Sequence, residues 1–509
     1  MNGPARFAPK WLPVRRRNAQ NQTALSRFGI AGCAVIALVL VRGIVLAATP
    51  ISFDEAYYWL WSKHLAAGYL DHPGLIAFLI RGGTALFGDT IIGVRAVPWL
   101  LSAAATWAVW RTVLVLDGSS RKATIAALMF NVMPMIAVES DVATPDAPEI
   151  AAAAFVLLFL AQLRQSDNGR WWIAVGIAAG FALLAKYTAF FLGAGILCWL
   201  LIAKKQRHWF ASVWPWLGGA VALWMFAPVV VWNAQHGWIS FAMQFGRTAS
   251  GSFTWRYIGE FLGGQLLLVS PFIAVLAVAG GVAAFRRHQN AELLLPACLV
   301  LPAMAYFLVH SLHDRVQGNW PSFLYPAFAV LAAGACVKFA MRDSWLSQIT
   351  RRAAVPVAAL LVAAVYGQAL FGAVHYRDPV SRLLAYGMEP VVSDIETAFA
   401  REHASAVVTT NYALTGWLAF YLNRNTPVIQ LNERSRYLNE APPDPRNLRG
   451  PLIYVSQERN EEVDYLAQRF AHVVPLEHVL RTRNGAILDR YVVFRLDDPK
   501  ATVLSYATK

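Results

Sequence analysis

The amino-acid sequence predicts an α-helical polytopic membrane protein with about eleven transmembrane helices, followed by a small C-terminal α/β domain. Three observations carry this prediction: 57% of the 509 residues are hydrophobic, only 15% are charged, and the mean hydropathy is +0.43. Apolar stretches recur through the first 374 residues, whereas Asp, Glu, Arg and Pro become frequent from about residue 375 onward. This composition excludes an ordinary soluble multidomain protein.

The predicted spans are apolar runs of roughly 17 to 25 residues, the length that crosses a bilayer as a helix. They lie near residues 28–48, 92–113, 123–140, 146–163, 171–185, 188–203, 212–232, 258–284, 292–310, 320–341 and 353–374. The four cysteines fall inside apolar stretches without ligand-like spacing. Neither a disulfide framework nor a zinc site is therefore predicted.

Lys and Arg residues in the short loops predict the orientation of these spans. If the spans alternate, the basic loops at 15–17, 121–122, 204–207, 286–287 and 351–352 all fall on one side. The positive-inside rule assigns that side to the cytoplasm. The first span is too long for the apolar core of a signal peptide and lacks a convincing cleavage site, so we expect it to remain in the protein.

These features divide the chain into a basic cytoplasmic N-terminus (1–27), a transmembrane region (28–374) and a C-terminal domain (375–509). With an odd number of spans and the N-terminus in the cytoplasm, the C-terminal domain lies in the periplasm. The formal net charge of +14 arises in the first 374 residues, whose cytoplasmic loops adjoin anionic lipid. The charge therefore does not indicate a nucleic-acid partner.

The C-terminal domain is predicted to be α/β because short apolar runs alternate with helical patterns. The strand candidates are residues 406–410, 427–431, 451–456 and 491–496, and the helix candidates are residues 391–402, 412–423 and 461–470.

The predicted outer loop at 49–91 combines ionisable and aromatic side chains at the membrane surface. It holds, in chain order, Asp54, Glu55, Tyr57, Tyr58, Asp71 and His72. The first two carboxylates stand just beyond the first span, where an ionisable pair near lipid usually serves chemistry or transport. The aromatic residues that follow suit a helix that lies in the membrane interface.

Five motifs spread over residues 28–340 carry a resemblance to one enzyme family. They are Asp54-Glu-Ala-Tyr-Tyr-Trp59, Tyr69-Leu-Asp-His-Pro-Gly-Leu75, Ala143-Thr-Pro-Asp-Ala-Pro148, Leu184-Ala-Lys-Tyr-Thr188 and His313-Asp-Arg-Val-Gln-Gly-Asn-Trp-Pro321. In combination they resemble the GT-C fold glycosyltransferases that use polyprenyl-phosphate sugars, in particular the bacterial relatives of protein O-mannosyltransferases and of the lipid A aminoarabinose transferase. The C-terminal domain contributes no matching motif.

The resemblance and the chemistry of sugar transfer assign roles to individual residues. Such a transfer needs a base for the acceptor hydroxyl, stabilisation of the departing phosphate and an apolar groove for the lipid. Asp54 is expected to be the general base, and Glu55 to shape the acceptor site or the pKa of that base. Asp146 matches the second-loop acid of the family and is expected to bind sugar or acceptor, or to hold a metal ion.

Three basic residues are candidates for binding the donor phosphate: His72, Lys186 and Arg315. The aminoarabinose transferase pattern has Lys where this chain has His72, so the other two are expected to supply the missing positive charge. Alternatives stay open for Lys186, which fits an end-of-helix cation, and for His72, which fits an interface histidine without a catalytic duty. The residues expected to line the substrate groove are Tyr57, Tyr58, Asp71 and Trp320.

We therefore expect a multi-pass protein of the bacterial inner membrane that transfers one sugar, with inversion, from a polyprenyl-phosphate donor to a periplasmic acceptor. Lipid A, lipopolysaccharide or another envelope glycan is the favoured acceptor, and a protein hydroxyl is the alternative. No cofactor is certain. A divalent metal remains open, although Glu139 and Asp141 are too few ligands to define its site.

Two alternative functions fit the sequence less well than sugar transfer does. A transporter or flippase of lipid-linked sugars would favour an internal repeat and mid-membrane acids, and the sequence has neither feature. An enzyme that loads the polyprenyl phosphate from a nucleotide sugar would need its acids on the cytoplasmic face, against the loop charges.

Overall fold

The computed structural model describes residues 14–246, 253–286, 291–340, 344–375, 378–500 and 503–504. The first part of the fold, up to Phe371, consists of α-helices joined by short loops and 3-10 turns. The second part, from Pro379, combines helices with a five-stranded sheet. Of the predicted N-terminal region, residues 1–13 lie outside the described residues, and the remainder is helical.

The first part is built from helices of very different lengths. They are α1 (Val14–Ala48), α2 (Phe53–Lys63), α3 (Leu75–Phe87), α4 (Ile91–Asp117), α5 (Ser120–Val132), α6 (Pro134–Glu139), α7 (Asp146–Ser166), α8 (Trp171–Ala185), α9 (Phe190–Ile202), α10 (Trp214–Gln235), α11 (Ile239–Gly246), α12 (Arg256–Val269), α13 (Pro271–Arg286), α14 (Ala291–His310), α15 (Tyr325–Ala340) and α16 (Trp345–Phe371).

Several of these helices can cross a membrane. Among the described residues, five are long and apolar enough, namely α4, α7, α10, α14 and α16. Two bent pairs pass the same test together: Tyr187–Ile202 with Lys204–Ala211, and α12 with α13. Shorter apolar helices lie at Gly32–Ala48, Leu75–Phe87, Trp171–Ala185 and Ser322–Lys338. The chain is therefore a multi-pass membrane protein, and the count of about eleven spans stays a prediction.

Proline breaks two of the predicted spans. The predicted span 123–140 becomes α5 and α6, because Pro134 begins a new helix after the extended residue Met133. The predicted span 258–284 bends by 102° between α12 and α13, at Ser270 and Pro271. Proline lacks a backbone N–H and its ring clashes with the preceding turn, so it starts a helix more readily than it continues one.

The second part is a small α/β domain, as predicted. Its helices are α17 (Pro379–Leu383), α18 (Met388–Arg401), α19 (Tyr412–Tyr421) and α20 (Val463–Arg469), and its strands are β1 (Ala406–Thr409), β2 (Val428–Gln430), β3 (Leu452–Gln457), β4 (Phe470–Arg483) and β5 (Ala486–Pro499). The sheet order is β2-β1-β3-β5-β4. Strand β1 pairs in parallel with β2 and β3, while β5 pairs antiparallel with β3 and β4.

One of the hydrophobic cores contains residues from both parts of the chain. This core joins the aromatic residues of α2 to apolar residues of α18, α19 and β3, and Tyr57, Trp61 and Trp417 are all buried in it. The backbones approach closely at Gly416, where an added Cβ would lie 2.9 Å from the Tyr57 nitrogen. The prediction that the aromatic face of α2 lies in the membrane interface is therefore wrong, because these rings pack against the C-terminal domain.

Candidate active site

The neighbouring carboxylates Asp54 and Glu55 at the start of α2 have different environments. Ser52 caps the helix: its hydroxyl accepts from the Glu55 backbone N–H at 3.2 Å, and the Glu55 carboxylate accepts from the Ser52 N–H at 2.9 Å. This reciprocal arrangement is a capping box. It turns Glu55 towards the protein interior, where the side chain is fully buried, and leaves Asp54 partly exposed.

The Glu55 carboxylate is saturated by strong donors. The Arg95 guanidinium of α4 donates from Nε to Oε1 at 2.6 Å and from Nη2 to Oε2 at 2.7 Å. The backbone N–H of Ala143 donates to Oε1 at 2.9 Å. Burial alone would raise the pKa of Glu55, but Arg95 and the backbone donors outweigh it and lower that pKa. Glu55 thus holds α2, α4 and the loop before α7 in place, which suits a positioning residue.

Arg95 also secures the chain between α1 and α2. Its Nη1 donates to the carbonyls of Leu46 and Thr49, and its Nη2 donates to the carbonyl of Pro50, at 2.7 to 2.9 Å. The sequence analysis did not predict a role for Arg95, because the orientation of the spans depends on basic residues in the loops. The missed signal was a guanidinium inside an apolar run, where it requires a buried partner.

The surroundings and the pKa of Asp54 suit a base that works near neutral pH. The hydroxyl of Tyr412, in the C-terminal domain, is the neighbour that reaches it, 3.4 Å from Oδ1. Burial raises the pKa of Asp54 to about 7, and the nearby Asp71 carboxylate adds to the rise. A carboxyl group with this pKa is deprotonated for part of the time at pH 7 and can accept a proton there.

Asp71 is held from both parts of the chain. Arg436 of the C-terminal domain donates from Nη1 to both of its carboxylate oxygens at 2.7 Å, and the Tyr57 hydroxyl donates at 2.9 Å. The Arg436 guanidinium also lies over the Tyr412 ring, 4.5 Å from its centre. Asp54, Tyr412, Arg436 and Asp71 therefore form a continuous polar chain across the boundary between the two parts.

Asp146 forms a second polar centre at the N-terminus of α7. Its Oδ1 accepts from the Lys186 ammonium at 2.8 Å and from the Ser322 hydroxyl at 2.8 Å, and its Oδ2 accepts from the Asn319 amide at 2.9 Å. Asp146 and Lys186 are both buried. The helix N-terminus also favours the negative charge. The pair brings the predicted second-loop acid and a predicted phosphate-binding cation together.

A divalent cation does not fit at Asp146, because an ammonium group occupies one of its oxygens and neutral hydrogen-bond donors occupy the rest. No three His, Cys, Asp or Glu side chains in the described ranges come together as a metal site. The role of metal holder that the sequence left open for Asp146 therefore has no support from its surroundings.

A cavity of about 630 Å³ connects the polar centres to an aromatic wall. Four predicted site residues line it: Asp71, His72, Lys186 and Trp320. The other lining residues are Tyr187, Thr188, Phe190, Phe191, Gln244, Phe245, Tyr306, Phe307, His310 and Asn319. Its lining combines charged and polar side chains with a larger aromatic surface, as suits a ligand with a charged headgroup and an apolar chain.

The remaining predicted residues lie around this cavity or apart from it. Tyr57 holds Asp71, and the Tyr58 ring lies 6.5 Å from the His72 ring. Arg315 does not line the cavity within the described structure. Its guanidinium is 58% exposed and pairs with Glu260 at 2.8 Å. The phosphate-binding role of Arg315 stays a prediction, and its position gives that role no support.

One family profile and several known proteins match the sequence. A family profile described as dolichyl-phosphate-mannose-protein mannosyltransferase matches residues 71–232. The lipid A galacturonosyltransferase RgtD of Rhizobium johnstonii is 26% identical over 310 residues, which are 58% of this chain and 63% of that protein. The undecaprenyl phosphate-alpha-4-amino-4-deoxy-L-arabinose arabinosyl transferase 1 of Pseudomonas fluorescens is 24% identical over 298 residues, 54% of this chain and 50% of that protein. The chain thus spans less than two thirds of the length of these relatives.

One solved structure matches nearly the whole chain. The crystal structure of ArnT from Cupriavidus metallidurans bound to undecaprenyl phosphate superposes with a TM-score of 0.64 at 15% identity, covering 92% of this chain and 99% of that one. The chain has a GT-C fold. The fold class predicted from the sequence is confirmed, and so is the resemblance to glycosyltransferases that use polyprenyl-phosphate sugars.

Within this GT-C fold, the residues that the sequence reading missed come mainly from the C-terminal domain. Tyr412 and Arg436 reach Asp54 and Asp71 across more than 350 positions of sequence. Gln244 of α11 is a further contact, because its side-chain amide donates to the backbone carbonyl of Asp71 at 2.6 Å. No local motif marks these residues. Only the folded GT-C structure brings them to the loop at 49–91.

Proposed function

We propose that the protein is an inner-membrane glycosyltransferase that moves a monosaccharide from a polyprenyl-phosphate donor to a hydroxyl group of a lipid A-type acceptor. The observation that carries the proposal is the cavity of about 630 Å³, which combines Lys186, His72 and Asp71 with an aromatic wall. In this proposal it binds the donor, and we call it the donor cavity. The names of the sequence relatives support both substrates, since they are called a lipid A galacturonosyltransferase and undecaprenyl-phosphate sugar transferases.

The donor fits the cavity by its two chemical halves. Phe190, Phe191, Phe245 and Phe307 offer an apolar surface to an isoprenoid chain. The phosphate would lie beside Lys186. An ammonium group has three N–H donors, of which Asp146 takes one, so Lys186 can bind the phosphate while it remains paired. His72 also lines the cavity and is a second candidate for this contact.

The acceptor hydroxyl would be activated by Asp54. In this proposal its oxygen attacks the anomeric carbon of the donor sugar while the hydroxyl proton passes to the Asp54 carboxylate. The bond between the anomeric carbon and the phosphate oxygen breaks, and the phosphate leaves with the electron pair on the opposite side, stabilised by Lys186. The products are the glycosylated acceptor and the polyprenyl phosphate, and the configuration at the anomeric carbon inverts.

The proposed location follows from the loop charges. Basic loops face the cytoplasm under the positive-inside rule, so the loop at 49–91 and the C-terminal domain would face the periplasm. A flippase of lipid-linked sugars, the alternative considered from the sequence, finds no support among the relatives, which are named as transferases. A protein acceptor likewise finds no support among these named relatives.

Reconstituted transfer tests the proposal. The purified protein in lipid nanodiscs would receive labelled undecaprenyl-phosphate sugars and lipid A, and wild type would be compared with Asp54→Asn and with the surface control Asp444→Asn. We expect wild type and the control to transfer sugar and Asp54→Asn to lose about 10² or more in rate. If wild type transfers no sugar from any donor, the proposed function is refuted. If Asp54→Asn transfers sugar as fast as wild type, the assignment of Asp54 as the base is refuted.

A further inference from the structure

A second cavity lies beside Asp54, on the C-terminal domain. Its volume is about 430 Å³, and its walls come from the start of α2, from α17, from the start of α19 and from the end of β3. The lining residues are Phe53, Pro379, Arg382, Leu383, Asn411, Tyr412, Ala413, Leu414, Trp417, Gln457, Arg459, Asn460 and Asp489. Tyr412 lines this cavity with its ring and reaches Asp54 with its hydroxyl.

The charge of this second cavity is positive. Asp489 is its one lining carboxylate, and it is shared by Arg459, at 3.0 Å from Oδ1, and by the buried Arg481, at 2.6 Å from Oδ2. Arg382 is exposed, and no carboxylate in the described part of the chain pairs with it. Two accessible guanidinium groups therefore face the same space with an excess of positive charge, the arrangement that recognises phosphate or carboxylate groups.

Neutral groups in the same walls suit a sugar. The Asn460 amide and Arg459 both donate to the Gln457 side-chain oxygen at 3.0 Å, which orders this rim. Asn411 accepts from two backbone N–H groups with its Oδ1, so its amide N–H groups can serve a ligand. Phe53 lies edge-on to both Trp417 and Tyr412 and completes an aromatic wall.

The second cavity includes residues that closely follow the last membrane helix in the chain. Helix α17 follows the last membrane helix, α16, after a short connection, and it supplies Arg382 and Leu383 to the rim. Leu383 is 49% exposed, and Phe371 at the end of α16 is 71% exposed. Exposed apolar residues at the end of α16 and on α17, beside the Arg382 guanidinium, suit contact with the lipid surface. The headgroup of a lipid-anchored ligand can therefore reach the cavity without leaving the bilayer.

We infer that this second cavity binds the acidic sugar headgroup of the acceptor glycolipid, with Arg382 and Arg459 on its phosphate or carboxylate groups. The inference rests on the proposed function and adds the acceptor subsite to it. Donor and acceptor then approach from opposite sides of one residue group: Asp71 lines the donor cavity, Tyr412 lines the acceptor cavity, and Arg436 contacts both of these residues.

Steady-state transfer with two forms of one acceptor tests this assignment. Nanodiscs of phosphatidylcholine would carry the full-length protein, an undecaprenyl-phosphate sugar that wild type uses, and lipid A either phosphorylated or enzymatically dephosphorylated. The variants are Arg382→Gln/Arg459→Gln and, as a control, Arg446→Gln, whose guanidinium is 84% exposed on the same domain and binds Asp444. Asn460→Asp, which adds a negative charge to the exposed rim, is the second test variant.

We expect the double variant to raise the KM for phosphorylated lipid A by about tenfold or more and to leave the KM for the donor unchanged. Asn460→Asp should raise the same KM, Arg446→Gln should not, and dephosphorylated lipid A should be used equally by wild type and the double variant. If wild type transfers no sugar, the proposed function fails and the subsite with it. If wild type transfers sugar but the acceptor KM of both test variants is unchanged, only the subsite is wrong.

A membrane phospholipid is the other source of an acidic headgroup. Adding phosphatidylglycerol to the nanodiscs separates the two sources. The assignment predicts competition that raises the acceptor KM and that disappears in the double variant. If phosphatidylglycerol instead changes the stability of wild type alone, with identical acceptor KM values in wild type and the variants, the cavity binds membrane lipid and the inference is overturned.

Discussion

Arg95 and Glu55 form a buried, two-point ion pair that joins the start of α2 to α4 beside the candidate base. Both side chains are almost completely inaccessible to solvent. The pair gives the two adjacent carboxylates different surroundings: the Glu55 oxygens are occupied by structural contacts, whereas Asp54 has only the Tyr412 hydroxyl as a side-chain hydrogen-bond partner within the described structure, as its proposed role as base requires.

Breaking the Arg95–Glu55 pair should destabilise the protein strongly. Glu55→Gln leaves the Arg95 charge buried without a counter-charge, at a cost of about 3–5 kcal/mol in unfolding free energy. Arg95→Gln should cost a similar amount. The double variant should lose clearly less than the sum of the single losses, because neither charge remains unpaired. Thermal unfolding in one detergent measures all three, and strictly additive losses would contradict the paired role.

Asp54 should give activity a dependence on pH near neutrality. Because burial and Asp71 raise the pKa of Asp54 to about 7, kcat/KM should rise with pH through about 7 as the carboxylate forms. A pH–rate profile at constant ionic strength measures this limb. Carboxyl groups with so raised a pKa titrate between about pH 5.5 and about 8.5. If kcat/KM does not change with pH over this range, Asp54 is not the base.

The raised pKa of Asp54 also affects folding stability, which should fall as pH rises while activity rises. The pKa of Asp54 is higher in the folded protein than the ordinary 3.8, so the stability that this group contributes is present below about pH 4 and is lost as pH rises through about 7. Asp54→Asn, which carries no charge, should therefore be more stable than wild type above pH 7 and similar to it at pH 4. Unfolding temperatures of both proteins across this pH range provide the measurement.

Removing Arg436 should shift the pH profile without unfolding the site. Arg436→Gln leaves the Asp71 carboxylate without its counter-charge, and Asp71 already raises the pKa of Asp54. Glu55 and Asp146 raise it in the same direction, while the Tyr412 hydroxyl lowers it. The rising limb should therefore move to higher pH in this variant. Arg424→Gln is the control, because Arg424 is 82% exposed and binds Asp89 outside the site.

Lys186 and Asp146 allow catalysis to be separated from packing. Lys186→Met should lower transfer by about 10² because the departing phosphate loses its proposed cation, and it should also destabilise the protein because the buried Asp146 loses its counter-charge. Lys186→Met/Asp146→Asn should recover much of the stability and none of the activity. Recovery of activity in the double variant would mean that Lys186 only neutralises Asp146.

The sequence was informative wherever local chemistry decided the structure. Apolar runs located most of the membrane helices, and the aromatic residues that follow Asp54 indicated the helix α2. The strand candidates correspond to β1, β2, β3 and β5, whereas β4 was missed because Pro475 and several polar residues interrupt its alternation. The helix at residues 463–469 was located nearly correctly, as α20.

Contacts distant in sequence could not be predicted in the same way. The aromatic residues of α2 looked suited to lipid because their partners, Trp417 and Tyr437, lie more than 350 residues further along. Arg436 and Tyr412 carry no motif, because their contacts with Asp71 and Asp54 exist only once the C-terminal domain has packed. The breaks at Pro134 and Pro271 were visible as prolines, but apolar composition concealed that they divide the predicted spans.

The close backbone approach at Gly416 bears on how the protein is made. The loop at 49–91 is synthesised long before the segment that packs on Tyr57, yet its aromatic core is complete only when α19 lies against it. The aromatic core of the loop at 49–91 is therefore incomplete until the C-terminal domain has been synthesised and has packed against it. A chain arrested after α16 would contain its membrane helices but would lack Tyr412 and Arg436, the C-terminal side of the candidate site.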